Sequence, residues 1–255
     1  MSKALLEVSG LCMRFGGLLA VNNVSLSVHE KEIVSVIGPN GAGKTTVFNC
    51  ISGFYAPTQG SIVFDGKAVQ GMKGHKIARQ GMVRTFQHVR LFKEMTVIEN
   101  LLVAQHRQLN TNLLAGFFKT PSYRRLEKEA MERAVYWLKK VNLLEHANRE
   151  AGNLAYGQQR RLEIARCMVT QPRLLMLDEP AAGLNPNETK ELDELICYLR
   201  EEHDVAVLLI EHDMSLVMGI SDAIVVINQG TPLASGTPAE IRDNPDVIKA
   251  YLGED

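Results

Sequence analysis

A nearly continuous apolar run, EIVSVIG at 32–38, passes without a break into Gly38-Pro-Asn-Gly-Ala-Gly43-Lys44-Thr45. It continues into VFNCISGF, whose apolar residues have helical spacing and which runs out at a glycine. Strand, glycine-rich loop and helix, in that order, are the setting that the pattern G-x-x-x-x-G-K-[ST] needs to hold phosphate. Glycines let backbone N–H groups turn inward and approach phosphate oxygens closely. The helix that follows points its positive end at the same place. Gly38, Asn40, Gly41, Ala42, Gly43, Lys44, Thr45 and Thr46 are therefore the candidate nucleotide contacts. Lys44 offers its charge to the β- and γ-phosphates of a nucleotide, and the Thr45 hydroxyl completes a Mg²⁺ shell.

A phosphate loop of this kind works with an acid at the end of a neighbouring strand. Leu174-Leu-Met-Leu177-Asp178-Glu179 provides two. Consecutive residues at a strand end face different ways, so the two acids can divide the work. Asp178 is placed to hold Mg²⁺, directly or through water, and Glu179 to orient and polarise an attacking water.

The surrounding pattern gives the fold class. LLEVSGLCMRF and NNVSLSVHE read as short, partly alternating strands, with turns expected at Gly16-Gly17 and Asn22-Asn23, and SIVFDGKAV as a hairpin turning at Asp65-Gly66. MTVIENLLVAQHR and YRRLEKEAMERAVYWLKKVNLLEHA are amphipathic helices, joined by an irregular connection, QLNTNLLAGFFKTPS. RLLMLDEP, VAVLLIEHD and AIVVINQG then alternate with helix, which implies a parallel sheet covered on both faces. The tail, TPAEIRDNPDVIKAYLGED, reads as two short helical turns split by Pro245. The expected architecture is an α/β phosphate-loop NTPase in one domain. It comprises an antiparallel β part and phosphate loop (1–87), an inserted helical subdomain (88–157), and the rest of the parallel core with its tail (158–255).

With 255 residues the chain can bury roughly 75% of its unfolded surface, so a full core is expected. Twenty-eight basic against 29 acidic residues leave a net charge of -1, which argues against a dedicated nucleic-acid binder. Cys12, Cys50, Cys167 and Cys197 are scattered and read as reduced residues, not as a disulfide or metal framework. The opening MSKALLEVSG lacks the pattern of a signal peptide, and no apolar run approaches the ~20 residues of a bilayer span.

These motifs, in this order, resemble the ATP-binding cassette ATPases. Gln87, in RTFQ, matches the family's Q-loop glutamine, which touches the metal and the nucleophilic water and senses the transporter's membrane part. Leu154-Ala155-Tyr156-Gly157-Gln158 matches the signature, which acts across a dimer of cassettes. His212 matches the switch histidine at the γ-phosphate, and Phe15 stands where the family stacks an aromatic on adenine. The resemblance makes Glu179, His212 and Gln87 catalytic, and Thr45, Gln87 and Asp178 the metal-facing groups. Two residues depart from the pattern: Ala155 replaces the signature serine, and Asn185 stands where an aspartate is usual. Paired with a cassette carrying the usual signature, this chain would form two unequal ATP sites.

Over its whole length the chain resembles the ATP-binding subunits of branched-chain amino acid importers. The segments that carry the likeness include CMRFGGLLAVNNVSL, RTFQHVRLFKEMTVIENLLVAQH, NLAYGQQRRLEIARCMVTQP, DEPAAGLNP and the tail GTPAEIRDNPDVIKAYLGE. The resemblance implies ATP and Mg²⁺ as cofactors and a place on the cytoplasmic face of a bacterial inner membrane. The implied partners are a second cassette subunit or another copy of this chain, two transmembrane permeases, and indirectly a periplasmic amino-acid-binding protein; no nucleic acid is implied. Cassettes for other cargo, such as amide or urea importers and lipopolysaccharide exporters, look similar. A soluble non-transport cassette protein predicts tandem cassettes, a long coiled-coil insertion or a basic stripe, and the sequence shows none of these.

Overall fold

The computed structural model describes residues 3–87, 89–106 and 120–252. The connection expected at 108–122 falls largely outside the described residues. The chain divides into two compact units, Met1–Gln87 with Arg173–Asp255, and His88–Pro172.

The first unit opens with β1 (Leu6–Phe15) and β2 (Leu18–Val28), paired antiparallel through a tight turn at Gly16-Gly17. The expected turn at Asn22-Asn23 is not a turn: β2 runs straight through it. The pair is absorbed as an irregularity in the β1–β2 register, with Asn23 at φ 56° and its N–H on Cys12 Sγ at 3.2 Å. Asparagine tolerates the left-handed region that a bulge requires, so the same residues serve a bulge as well as a turn. β4 (Gln59–Phe64) and β5 (Lys67–Ala68) complete a four-stranded sheet in the order β2-β1-β4-β5. Asp65 and Gly66, both at positive φ, form the two-residue turn between them.

The second sheet of this unit has the order β10-β9-β3-β8-β7-β6. β3 (Ile33–Ile37), β6 (Met82–Arg84), β7 (Leu174–Asp178), β8 (Ala206–Ile210) and β9 (Ala223–Asn228) pair in parallel, while β10 (Thr231–Gly236) adds an antiparallel edge. β3, β7 and β8 are buried at every position. The alternation of side chains explains how β9 serves two cores. Val225 and Ile227 join the cluster shared with the antiparallel sheet and α1 (Lys44–Ile51). Ile224 and Val226 turn the other way, toward Val217 of α7 (Met214–Ile220), Ile241 of α8 (Pro238–Arg242) and Val247 of α9 (Pro245–Leu252). α2 (Gly74–Ala78) and α6 (Pro186–His203) complete the unit.

The second unit packs α3 (Val97–Gln105), α4 (Pro121–Lys140) and α5 (Tyr156–Met168). Thr96 caps α3 in a reciprocal box with Glu99, and Thr120 followed by Pro121 starts α4. Two buried amides fix the packing. Asn100 bonds Phe92 at both its N–H and its carbonyl, and Gln105 Nε2 reaches the Ala130 carbonyl at 3.0 Å, tying α3 to α4. The long helical reading at 123–147 is broken at Asn142, which takes φ 55°; a short 3₁₀ turn, Leu144–His146, follows. No described helix is long and apolar enough to cross a membrane.

Candidate nucleotide site

The phosphate loop joins the C-terminal end of β3 to the N-terminus of α1. Two of its glycines are there because nothing larger fits. A Cβ on Gly38 would lie 1.9 Å from the Ile227 carbonyl oxygen, and one on Gly43 would lie 2.8 Å from that of Ala20, with φ at 149° and 97°. The loop is thus held from behind by β9 and β2. Gly43 is also the N-cap of α1 and supplies no side-chain acceptor, so the first-turn N–H groups have no side-chain cap. An uncapped helix N-terminus behind a glycine loop suits an anion with several oxygens.

Lys44 is 7% exposed, and its ammonium bonds the carbonyls of Gly38 at 2.7 Å and Pro39 at 3.0 Å. Burial pulls its pKa below the usual lysine value, against the opposing charges of Glu179 and Asp178. A desolvated ammonium braced on carbonyls gains from a nearby phosphate charge. Thr45 is exposed at the loop's mouth.

Asp178 ends β7 and is buried, with Oδ2 2.6 Å from Arg84 Nη2. Glu179 follows in the left-handed region at φ 47°, its N–H on the Ile210 carbonyl at 2.9 Å. That backbone reversal turns the second acid away from the strand. Gln87 Nε2 donates to Glu179 Oε2 at 2.9 Å, so the expected Q-loop glutamine and the expected general base touch. His212 follows β8 with its ring largely in solvent, 61% exposed, and Nδ1 lies 3.6 Å from Glu211 Oε2.

For Mg²⁺, the Thr45 hydroxyl, an Asp178 carboxylate oxygen and the Gln87 amide oxygen are hard oxygen donors, which fits that ion. Among the described residues no group of three or more His, Cys, Asp or Glu is set to hold a metal unaided. Mg²⁺ is commonly held by one or two carboxylates, with water and substrate phosphates completing its shell.

The ABC transporter family profile matches residues 21–182, from β2 through the phosphate loop to the residues after the acid pair. This chain belongs to the ATP-binding cassette family. A second profile, the branched-chain amino acid ATP-binding cassette transporter, matches residues 231–255. The high-affinity branched-chain amino acid transport ATP-binding protein BraF of Pseudomonas aeruginosa is 75% identical over 254 residues, covering 100% of both chains. LivG of Escherichia coli, carrying the same description, is 71% identical with the same coverage. A crystal structure of the ADP conformation of an ATP-binding cassette of an ABC transporter aligns with a TM-score of 0.86 and 31% identity, over 99% of this chain and 100% of that one.

The residues expected to form the signature, 154–158, lie in the second unit, at the start of α5. Leu154 is buried, whereas Ala155 and Tyr156 are exposed. Ala155 is the N-cap of α5 and has no side-chain oxygen to offer. Half of a capping box survives: Gln158 Oε1 accepts the Ala155 N–H at 3.1 Å. Gly157 is buried beneath it. In the first unit, Asn185 caps α6, accepting the N–H groups of Asn187 and Glu188 at 3.0 Å each. Phe15 ends β1, half-exposed, with its ring edge-on to Tyr55 at 5.2 Å.

Three residues escaped the sequence reading. Arg84 was legible only as a lone charge in an otherwise apolar strand just before Gln87. Its guanidinium also bonds Asn49 Oδ1 and Ser52 Oγ at 2.8 and 2.7 Å, and lies 5.6–5.8 Å from the rings of Phe48, Phe54 and Phe86. Glu211 stood beside the histidine that drew attention. Tyr55 carried no signal until its ring met Phe15.

Proposed function

We propose that this chain is the ATP-hydrolysing subunit of a high-affinity branched-chain amino acid importer, working on the cytoplasmic face of a bacterial inner membrane. The observation that carries the reading is 71–75% identity over the whole chain to BraF and LivG, joined by a match of the tail to the branched-chain profile. In this reading the loop amides of Gly38 and residues 40–46, with the Lys44 ammonium, hold the β- and γ-phosphates of ATP, with Phe15 under adenine. Bound Mg²⁺ would neutralise developing phosphate charge. Thr45, Asp178 and Gln87 are placed to hold it. Glu179 orients and polarises the attacking water, and its contact with Gln87 ties that act to the loop facing the membrane partner. His212 contacts the γ-phosphate.

The cassette pairs with a second cassette, another copy or a different subunit, so that each site sets one chain's phosphate loop against the other's signature. Closure on ATP and reopening after hydrolysis move two transmembrane permeases, which receive amino acid from a periplasmic binding protein. Because Ala155 lacks the serine hydroxyl, the two sites are unequal when the partner carries the usual signature.

The test is uptake of labelled leucine, isoleucine and valine in cells expressing the native chain or Glu179→Gln, alongside ATP binding and hydrolysis by the purified proteins. The variant is expected to bind ATP, to hydrolyse none and to abolish uptake. Uptake that persists while the purified native chain hydrolyses ATP would remove the amino-acid assignment. Full turnover by the variant would remove Glu179 from its role.

A further inference from the structure

Glu211 is fully buried at the C-terminal end of β8, a place where a carboxylate is costly unless every oxygen is hydrogen-bonded. Its two oxygens serve two different loops. Oε1 accepts the N–H of Ala181 at 2.7 Å, in the loop that follows the acid pair. Oε2 accepts the N–H of His212 at 2.9 Å and that of Asp213 at 3.4 Å. Among the described residues its ion-pair contact is His212 Nδ1 at 3.6 Å, so backbone amides hold most of its charge.

Each loop is stiff on its own side. The loop after the acids is closed by Ala182 N–H on the Glu179 carbonyl and Leu184 N–H on that of Ala181. Asp213 Oδ1 accepts from Ser215 and Leu216 and so caps α7. One carboxylate therefore joins two rigid pieces that carry Glu179 on one side and His212 on the other. A side chain with two acceptor oxygens suits the position. A carboxamide presents one acceptor and one donor, and here N–H groups approach from both sides.

We propose that Glu211 is a positioning residue that locks the 179–184 loop and the 212–213 loop into one unit, so that Glu179 and His212 take up the γ-phosphate together. This rests on the ATPase reading above. It goes beyond that reading by assigning the coupling of the two loops to one buried side chain that is not among the candidate nucleotide or metal contacts.

The test compares the full-length native chain with Glu211→Gln, His212→Ala and the double variant, following hydrolysis against ATP concentration, ADP affinity and amide exchange. Glu211→Gln is expected to lower kcat at least tenfold while ADP affinity stays within twofold. If Glu211 acts through His212, adding it to His212→Ala costs less than threefold more. In amide exchange, ATP is expected to protect the 181–185 and 212–216 segments at the same concentration in the native chain, and at separate concentrations in Glu211→Gln. If Glu211→Gln is insoluble, Glu211→Asp is read the same way, because the shorter carboxylate cannot reach both loops. Native kcat in Glu211→Gln, or an equal fall with and without His212, overturns this inference and leaves the ATPase reading standing. A native chain that hydrolyses no ATP even when assembled with its partner cassette, or a His212→Ala chain that hydrolyses like native, overturns the reading and the inference together.

Discussion

Replacing Arg84 by Met offers a direct measure of what surrounds the aspartate that ends β7. The Arg84–Asp178 pair is 2.6 Å long, with side chains 7% and 3% exposed, so neither charge falls back on solvent when its partner is lost. Methionine fills the space among Phe48, Phe54 and Phe86 and leaves Asp178 as an unpaired buried carboxylate. Removing one partner of such a pair costs about 3–5 kcal/mol, most of it the cost of the stranded charge. Adding Asp178→Asn removes that charge, so the double variant should lose only what the missing hydrogen bonds contributed, about 1–2 kcal/mol. The assay is urea unfolding of the full chain followed by circular dichroism. Trp137 is the chain's sole tryptophan and lies in the other unit, so its fluorescence is an internal control expected to move less. A loss under about 1 kcal/mol in Arg84→Met, or no recovery on adding Asp178→Asn, would refute the account of a stranded buried charge.

Two further perturbations follow from the same geometry. Ala155→Ser should complete the half-made capping box on α5 and stabilise the helical unit by about 1 kcal/mol, read from Trp137 fluorescence; an unchanged urea midpoint would count against it. Asp193 has its carboxyl pushed up to about 6 by burial first, then by the like charges of Asp213, Glu211 and Glu194, and its Oδ1 is buried with no hydrogen-bond partner among the described residues. The folded chain therefore keeps a proton that the unfolded chain has released, and stability falls as pH rises from about 4 through about 6. Asp193→Asn escapes that fall, so it should be the more stable protein at pH 7.5, with the difference closing near pH 4. Equal differences at both pH values would rule this out.

What the sequence made legible was local. The phosphate loop and the acid pair at the end of β7 each fall within a few consecutive residues, and their physics is carried by those residues. β10 was invisible for the opposite reason. TPLASG has little apolar content and becomes a strand only by pairing antiparallel with β9. α7 is a single short stretch whose cap, Asp213, was read as the end of a strand.

The parts of the site that escaped are those made by distance along the chain. Arg84 meets Asp178 across 94 positions, Gln87 meets Glu179 across 92, and Ala181 meets Glu211 across 30. A motif names the atoms that face the substrate, because those must be close in sequence to be recognised as a motif. The groups that hold those atoms in place come from neighbouring strands of the parallel sheet, where adjacency in space requires a long crossover in sequence. Gln87 was found because it belongs to a motif of its own. Arg84 and Glu211 do the same kind of holding one step further back, and each sits within three residues of a motif residue, at the end of a strand of the parallel sheet. A charged residue in that position is costly unless something distant answers it. In a parallel-sheet ATPase, an unexplained charge beside a recognised motif therefore points to a bond across the sheet.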